Sequence, residues 1–275
     1  MLKIKKLSKE FLVEKSFFNS SNLTVKAVED VSFSIEKNQV VGLVGESGSG
    51  KSTLGKTIMK LLNPTSGNII FDNVDITNYN NQQMKKIRKQ LQMIFQDPFA
   101  SLNPRKNIFD TLAEPVMVHS LASKKNLHEY ISNIIQDVGL NVESLSRYPH
   151  EFSGGQRQRI GIARALAVNP KFIICDESVS ALDVSVQAQV LNLLNELKEE
   201  FGLTYIFISH DLSVVKYMSD RMVVMQEGKI EEMGDADQIY NKPGTPYTQK
   251  LIDAIPEGKL EDIKKHLGSK GVKAG

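Results

Sequence analysis

A glycine-rich segment carries the strongest chemical signal in the sequence. It is Gly45–Ser52 (GESGSGKS), which matches the pattern G-x-x-x-x-G-K-[ST]. Glycines let backbone N–H groups turn inward around phosphate oxygens, and a helix beginning near Lys51 would add the positive end of its dipole. The lysine of such a loop reaches the β- and γ-phosphates, and the following hydroxyl ligates Mg²⁺. The sequence therefore predicts a nucleotide site made of Gly45, Glu46, Ser47, Gly48, Ser49, Gly50, Lys51, Ser52 and Thr53.

Two adjacent carboxylates form the second signal. Asp176 and Glu177 follow the apolar run Phe172–Cys175. The chain begins to turn at the end of a strand, so neighbouring side chains can take separate roles. Asp176 would support Mg²⁺, usually through water, and Glu177 would polarise the attacking water as general base. An acidic loop capping a strand is the alternative, and the phosphate loop upstream favours catalysis.

A second glycine turn precedes a helical pattern that runs from Arg157 to about Val168. The turn is Ser153, Gly154, Gly155 and Gln156. Ser153 is the expected N-cap, and the glycines allow close backbone approach to an anion. Two phosphate-binding loops far apart in one chain suggest a sandwich, in which the loop of one subunit completes the nucleotide site of another.

These signals lie where short apolar runs end. The runs are Val40–Val44, Phe172–Cys175 and Tyr205–Ile208, and the last leads into His210. Such runs are typical of buried central strands, and helical patterns lie between them. Strands alternating with helices form a mostly parallel sheet, whose ligands bind at the carboxyl ends of the strands. We therefore expect an α/β fold with these signals at one sheet edge.

Periodicity predicts the remaining elements. The helix after the glycine-rich loop should continue to a stop at Asn63-Pro64, and an apolar stripe over Val186–Phe201 predicts a helix capped by Gly202. Leu127–Val138 is helical in pattern. Alternating residues up to about Phe33 predict antiparallel strands. Met222–Gln226 and Lys229–Met233, joined at Glu227-Gly228, predict a β-hairpin.

Composition limits the functional classes. The 275 residues carry 34 basic and 32 acidic side chains, a formal net charge of +2, which makes no case for nucleic-acid binding. Cys175 is the single cysteine, so this chain cannot form an internal disulfide or supply a cysteine-ligated cluster. We expect it to be a small buried apolar residue. No secretory signal is predicted, and no apolar run approaches the roughly 20 residues of a membrane-spanning helix.

Taken together and in order, the motifs resemble those of the ATP-binding cassette (ABC) family over nearly the whole chain. They are Walker A at Gly45–Ser52, a glutamine loop at Gln96, the signature at Ser153–Gln156, Walker B ending at Asp176, the catalytic Glu177, a D-loop at Ser180–Asp183 and a switch His210. The resemblance implies the P-loop ABC ATPase fold. That fold has a mainly parallel RecA-like sheet, an N-terminal antiparallel β-subdomain and an inserted α-helical subdomain.

The family also implies roles and boundaries. Gln96 would contact Mg²⁺ and the attacking water, His210 would contact the γ-phosphate, and Asp183 would couple the two sites of a dimer. Mg²⁺ would be held by Ser52, Gln96 and Asp176. One nucleotide-binding domain is expected over 1–256: a core with its β-subdomain at 1–95 and 153–240, a helical subdomain at 96–152, and a C-terminal importer motif at 241–256. A flexible tail is expected at 257–275.

An aromatic ring should stack on the adenine. Phe11, at the end of the first strand-like segment, is our choice, and Phe17 and Phe18 are alternatives. Packing in the core or a loop is an equally open interpretation of all three.

Three stretches are similar to oligopeptide/dipeptide importer cassettes. They are Gln96–Pro104 (QDPFASLNP), Ser180–Gln189 (SALDVSVQAQ) and Pro243–Thr248 (PGTPYT). Close relatives import nickel or glutathione, and the lack of a cysteine cluster favours the F-type cassette over the D-type. Ser178 stands where the family commonly has proline, so Glu177 is expected to be held less rigidly. Thr245 stands where histidine is common.

This likeness implies ATP and Mg²⁺ as cofactors and several protein partners. The partners are a second cassette subunit, either a paralogue or another copy, two transmembrane permease subunits and, indirectly, an extracytoplasmic solute-binding protein. The chain would lie peripherally on the cytoplasmic face of the membrane. A soluble ABC ATPase of DNA repair or translation is an alternative, but the coiled coils, zinc modules or second cassette typical of such proteins are not found. A nucleotide-gated module without turnover would lack the base, yet Glu177 is present.

Overall fold

The computed structural model describes residues 1–13 and 23–255. They form two compact units, one made from the described residues of 1–86 and 206–255 and the other from 87–205. The chain passes from one unit to the other within a helix and returns within a strand. The domain boundaries expected from the sequence, at 95/96, 152/153 and 240/241, stay predictions.

Strands and helices alternate through much of the chain. The strands are β1 Leu2–Val13, β2 Leu23–Ile35, β3 Val40–Val44, β4 Ser66–Phe71, β5 Val74–Asp75, β6 Leu91–Ile94, β7 Phe172–Asp176, β8 Thr204–Ile208, β9 Arg221–Gln226 and β10 Lys229–Asp235. The α-helices are α1 Lys51–Ile58, α2 Asn81–Gln90, α3 Pro98–Ser101, α4 Ile108–Val118, α5 Leu127–Asp137, α6 Gly154–Leu166, α7 Val184–Phe201, α8 Leu212–Met218, α9 Ala236–Asn241 and α10 Pro246–Asp253. Two 3-10 turns lie at Val142–Ser146 and Pro149–Glu151. Within the described residues, no helix combines the length and the apolar character needed to cross a membrane.

An antiparallel sheet forms one part of the first unit. Its strand order is β2-β1-β4-β5, and Phe11 pairs with Val25 in the β1–β2 register. Leu2, Ile35 and Ile69 are fully buried on its inner face. The expected N-terminal antiparallel strands are therefore present.

A second strand group in the same unit leads to the glycine-rich loop. β9 pairs with β10 antiparallel and with β3 parallel. Glu227 and Gly228 both have positive φ, +46° and +82°, as the right-handed twist of a tight hairpin favours. All five residues of β3 are buried, so packing fixes the position of the strand from which the loop starts.

The helix after that loop is shorter than expected. It ends at Ile58 instead of continuing to Asn63, so that part of the prediction was wrong. Lys60 adopts the left-handed conformation (φ +55°), and the N–H of Leu61 donates to the carbonyl of Lys56 at 2.9 Å. This is the hydrogen-bond pattern of a Schellman cap, which a lysine here forms in place of glycine.

The second unit joins a parallel strand pair to a set of helices. β6 pairs with β7, placing Leu91 beside Phe172 and Ile94 beside Cys175. The expected helices are present as α5, α6 and α7, and Gly202 caps α7 with φ +61°. β7 is buried throughout, which fixes the position of the carboxylate at its end.

Candidate functional site

The glycine-rich loop connects β3 to α1 and surrounds its own lysine. Lys51 is 3 % exposed, and its Nζ donates to the carbonyl oxygens of Gly45 and Glu46, both at 2.8 Å, and to Ser49 Oγ at 3.2 Å. The loop backbone therefore directs the ammonium group into the curve of the loop. A positive group in that place, beside a helix start, is suited to hold the phosphates of a nucleotide.

The start of α1 is formed by Gly50. This glycine has φ +99° and provides no side chain to cap the helix. A Cβ on Gly50 would lie 2.2 Å from the carbonyl oxygen of Ala27 on β2. The sequence places glycine here because of this close backbone approach, and the first-turn N–H groups begin without the side-chain cap that many helices have.

Two further elements contact the loop, and neither contact was predicted from the sequence. The N–H of Gly228, in the β9–β10 turn, donates to the Ser49 carbonyl at 3.0 Å. The N–H of Glu46 donates to the Tyr247 hydroxyl at 3.1 Å, and Lys250 Nζ lies 3.3 Å from Glu46 Oε1. Tyr247 lies within the importer-like stretch Pro243–Thr248, but no local pattern connects α10 to a loop some 200 residues earlier.

His210 belongs to the same unit as the glycine-rich loop. It follows β8 and is exposed, while the N–H of Ser209 donates to the carbonyl of Leu43 on β3 at 3.2 Å. Asp211 begins α8 as its N-cap, accepting from the N–H of Ser213 at 3.1 Å. The histidine is therefore presented between a strand end attached to β3 and the start of a helix.

Within the second unit, the structure brings Gln96 and Glu177 together. Gln96 Nε2 donates to Glu177 Oε2 at 3.0 Å. Asp176, at the end of β7, is 3 % exposed, whereas the Glu177 side chain is half-buried. A buried carboxylate therefore lies beside a more accessible one that an amide orients, and the two roles expected of them stay predictions.

The backbone at Glu177 makes a strained turn. Its φ is +46°, in the left-handed region, where a residue with a Cβ costs about 1–2 kcal/mol. The carbonyl of Glu177 accepts from both the N–H and the Oγ of Ser180, at 3.2 and 2.9 Å. Ser178 is 2 % exposed. The expectation that serine in place of proline loosens the base stays a prediction, and these contacts hold the turn around it.

The second glycine turn is built as expected at the start of α6. Ser153 Oγ accepts from the N–H of Gln156 at 3.4 Å, and Gln156 Oε1 accepts from the N–H of Ser153 at 3.0 Å, which completes a capping box. Ser153, Gly154 and Gln156 are exposed. A Cβ on Gly155 would meet Val186 Cγ1 at 2.3 Å, so this glycine lets α6 pack against α7. Asp183 caps α7 by accepting from the Val186 N–H at 3.0 Å.

The segment after Gln96 is attached to the same helix. Asp97 Oδ1 accepts from the N–H of Ala100 at 3.1 Å, which begins α3. The guanidinium of Arg164, on α6, donates to the carbonyl of Ser101. Burial lowers the pKa of Arg164, and the carboxylate of Glu114 opposes that shift. Helix α6 therefore begins at the second glycine turn and, near its end, donates a hydrogen bond to the segment that follows Gln96.

The remaining expectations concern an aromatic ring and a thiol. Phe11 is 38 % exposed, with Lys9 Nζ 5.0 Å from its ring centroid, while Phe17 and Phe18 lie outside the described residues. Cys175 is fully buried, as expected. Burial raises the pKa of its thiol from 9.0 to about 12, so the sulfur stays protonated near neutral pH.

Oxygen donors are available for a hard cation. Among the residues the structure describes, no three His, Cys, Asp or Glu side chains are grouped to hold a metal. The expected donors are the Asp176 carboxylate, the Ser52 hydroxyl and the Gln96 amide. Mg²⁺ prefers oxygen ligands and is usually held by one or two carboxylates together with substrate phosphates, and each of these side chains carries such an oxygen.

Known proteins resemble this chain over most of its length. Residues 28–180 match the family model described as ABC transporter. The oligopeptide transport ATP-binding protein AppF of Bacillus subtilis is 51 % identical, with 93 % of this chain and 78 % of that protein covered. OppF of Streptococcus mutans is 54 % identical, with 92 % and 82 % covered. The dimeric structure of the cassette MJ0796 bound to ADP and Pi has a TM-score of 0.76 at 28 % identity, with 86 % of this chain and 99 % of that chain covered.

Proposed function

Because this chain belongs to the ABC transporter family as an ATP-hydrolysing subunit, we propose that it powers the uptake of oligopeptides or dipeptides across a membrane. Its fold is the expected P-loop ABC ATPase fold, with a four-stranded antiparallel sheet and parallel strand pairs. The observation that carries the peptide assignment is the identity of more than half with oligopeptide transport ATP-binding proteins over more than nine-tenths of the chain.

ATP would bind at Gly45–Thr53, with its phosphates against the start of α1. The Lys51 ammonium, already held by the Gly45 and Glu46 carbonyls at 2.8 Å, would balance the charge of the β- and γ-phosphates. Phe11 remains our candidate for the adenine contact, because more than a third of it is accessible. These assignments are supported by the curled loop and by the absence of a side-chain cap on α1.

Hydrolysis would be a phosphoryl transfer to water. Water oxygen bonds to the γ-phosphorus while the bond from that phosphorus to the β–γ bridging oxygen breaks, and Glu177 accepts the proton of the water. Gln96 would orient the base and the water, as its 3.0 Å hydrogen bond to Glu177 supports, and His210 would contact the γ-phosphate. Asp176, Ser52 and Gln96 would hold Mg²⁺, which when bound neutralises phosphate charge.

The cycle would require a second cassette. The solved cassette MJ0796 is dimeric, and the exposed Ser153–Gln156 turn of this chain is already capped into a helix start that can meet an anion. In our proposal it covers the γ-phosphate bound to the partner, a paralogue or another copy. Asp183, which caps the helix packed on Gly155, would connect this turn to the opposite site.

The motion of the cassette would reach the two permease subunits through the segment from Gln96 to Asn103. Arg164 attaches the carbonyl of Ser101 to α6, whose first turn is the signature. Binding or hydrolysis of ATP would therefore move the signature turn and the Gln96–Asn103 segment together. A solute-binding protein outside the membrane would deliver the peptide, and the chain would act at the cytoplasmic face.

The test is uptake in cells that lack this chain and are complemented with it. Wild type should restore ATP-dependent uptake of a labelled oligopeptide. Lys51→Ala should not, because an alanine side chain carries no positive charge to balance that of the phosphates. Uptake of nickel and of glutathione, measured in the same cells, is the control for specificity. Restored uptake of either one without any effect on peptide uptake would contradict the peptide assignment in favour of that solute.

A further inference from the structure

We propose that Tyr247 on α10 is a positioning residue for the phosphate-binding loop, so that the C-terminal helix sets the affinity of the chain for ATP. The proposal rests on the proposed role of Gly45–Thr53 in binding phosphates. It adds a residue outside the expected motifs, far from the loop in sequence.

The hydroxyl of Tyr247 lies between two backbone groups near the start of the loop. It accepts a hydrogen bond from the N–H of Glu46 at 3.1 Å and lies 3.5 Å from the Met225 carbonyl oxygen, at the outer limit for donation. Tyr247 is 9 % exposed, so water competes little for these contacts. The hydroxyl therefore joins the loop to the end of β9.

Glu46, which makes this contact, and its neighbour Gly45 also position Lys51. Lys51 Nζ donates to the carbonyls of Gly45 and Glu46. A Cβ on Gly45 would lie 2.1 Å from the Met225 carbonyl oxygen, so the backbone of β9 packs closely against the first residue of the loop. If the Tyr247 hydroxyl is lost, Glu46 can move away from β9, and the carbonyl that orients Lys51 moves with it.

The helix that presents this hydroxyl is itself fixed. Thr245 caps α10 by accepting from the N–H of Thr248 at 3.2 Å, and Thr248 is fully buried. The N–H of Gly244 donates to Glu232 Oε1 on β10 at 2.8 Å. The hydroxyl is thus presented by a helix attached to the hairpin whose turn also holds the loop through Ser49.

A neighbouring contact from the same helix provides the matched control. Lys250 Nζ pairs with Glu46 Oε1 at 3.3 Å, but the two side chains are 73 % and 55 % exposed. Exposed ion pairs are screened by water and contribute little. Loss of this pair should leave the loop backbone in place, because it attaches only to the Glu46 side chain.

The experiment compares Tyr247→Phe with Lys250→Ala in the full chain. Titration with a non-hydrolysable ATP analogue in the presence of Mg²⁺ should give about tenfold weaker binding for Tyr247→Phe, and a change below about twofold for Lys250→Ala. Tenfold corresponds to about 1.4 kcal/mol, the size expected for one lost buried hydrogen bond. Steady-state turnover should show a raised KM in the same variant.

Three results separate the possibilities. Unchanged nucleotide affinity in Tyr247→Phe, with or without a lowered unfolding midpoint, would overturn the positioning role. An equal loss of affinity in Lys250→Ala would also overturn it, because the effect would then belong to the whole helix. Lys51→Ala is the separate check on the phosphate site: if that variant binds the analogue normally, the proposed function of the loop fails, whatever Tyr247→Phe does.

Discussion

Replacing Gly155 by alanine would place a methyl carbon 2.3 Å from Val186 Cγ1. Carbon atoms in contact prefer about 3.5–4.0 Å, so α6 and α7 would have to separate by about an ångström or the Val186 side chain would have to rotate. Valine in a helix strongly favours one χ1 rotamer, and the N–H of Val186 is held by the Asp183 cap at 3.0 Å. Both the separation of the helices and the rotation of Val186 would therefore cost free energy.

Overpacking of this kind costs typically 1–3 kcal/mol. A loss of about 2 kcal/mol would lower the midpoint of thermal unfolding by about 4–8 °C in a chain of this size. The neighbouring Gly154 is the matched control, since its Cβ would meet only Leu182 Cδ2 at an ordinary 3.6 Å. Gly154→Ala should therefore keep its stability within about 0.5 kcal/mol.

The assay is thermal and urea unfolding of the chain without nucleotide, at one protein concentration. The double variant Gly155→Ala with Val186→Ala should recover most of the lost stability relative to Gly155→Ala, because the clashing methyl group is gone. Equal midpoints for Gly155→Ala and wild type would refute the packing argument. No recovery in the double variant would assign the cost to a contact other than Val186.

Two further predictions concern catalysis and coupling. Glu177→Gln should bind ATP but release phosphate about 10²–10⁴-fold more slowly, because an amide cannot accept the proton of the water; wild-type phosphate release would mean that another group is the base. Arg164→Met removes the donor to the Ser101 carbonyl while keeping an unbranched apolar chain, so peptide uptake should fall more than basal ATPase activity. A parallel loss of uptake and ATPase activity, measured in the same preparation, would count against transmission through this contact.

The sequence predicted most of the local structure correctly where a single residue or period dominates. β3, β7 and β8 follow short continuous apolar runs, and Gly202 ends α7 because glycine adopts the left-handed conformation without cost. The end of α1 was predicted wrongly. Helical spacing of apolar residues continued past Ile58, but the helix ended there because Lys60 adopts the left-handed conformation. A lysine gives no sign of that conformation in the sequence.

Residue types also predicted a chemistry for the candidate site. A lysine after glycines, two carboxylates after a buried strand and a serine before two glycines each have a local physical meaning, which needs only a few neighbouring residues. The Ser153–Gln156 capping box is such a case, because both of its hydrogen bonds lie within four residues.

By itself, the sequence determined the loops, the strands that end at them and the class of chemistry, since these depend on short-range backbone geometry. Only the tertiary structure decided what holds the loops in place: the hydroxyl of Tyr247 on Glu46, the turn at Gly228 on Ser49 and the carbonyl of Ser101 on Arg164. Those contacts join residues far apart in the chain. Their partners are chosen by how the elements pack, and no periodicity or spacing along the sequence encodes that choice.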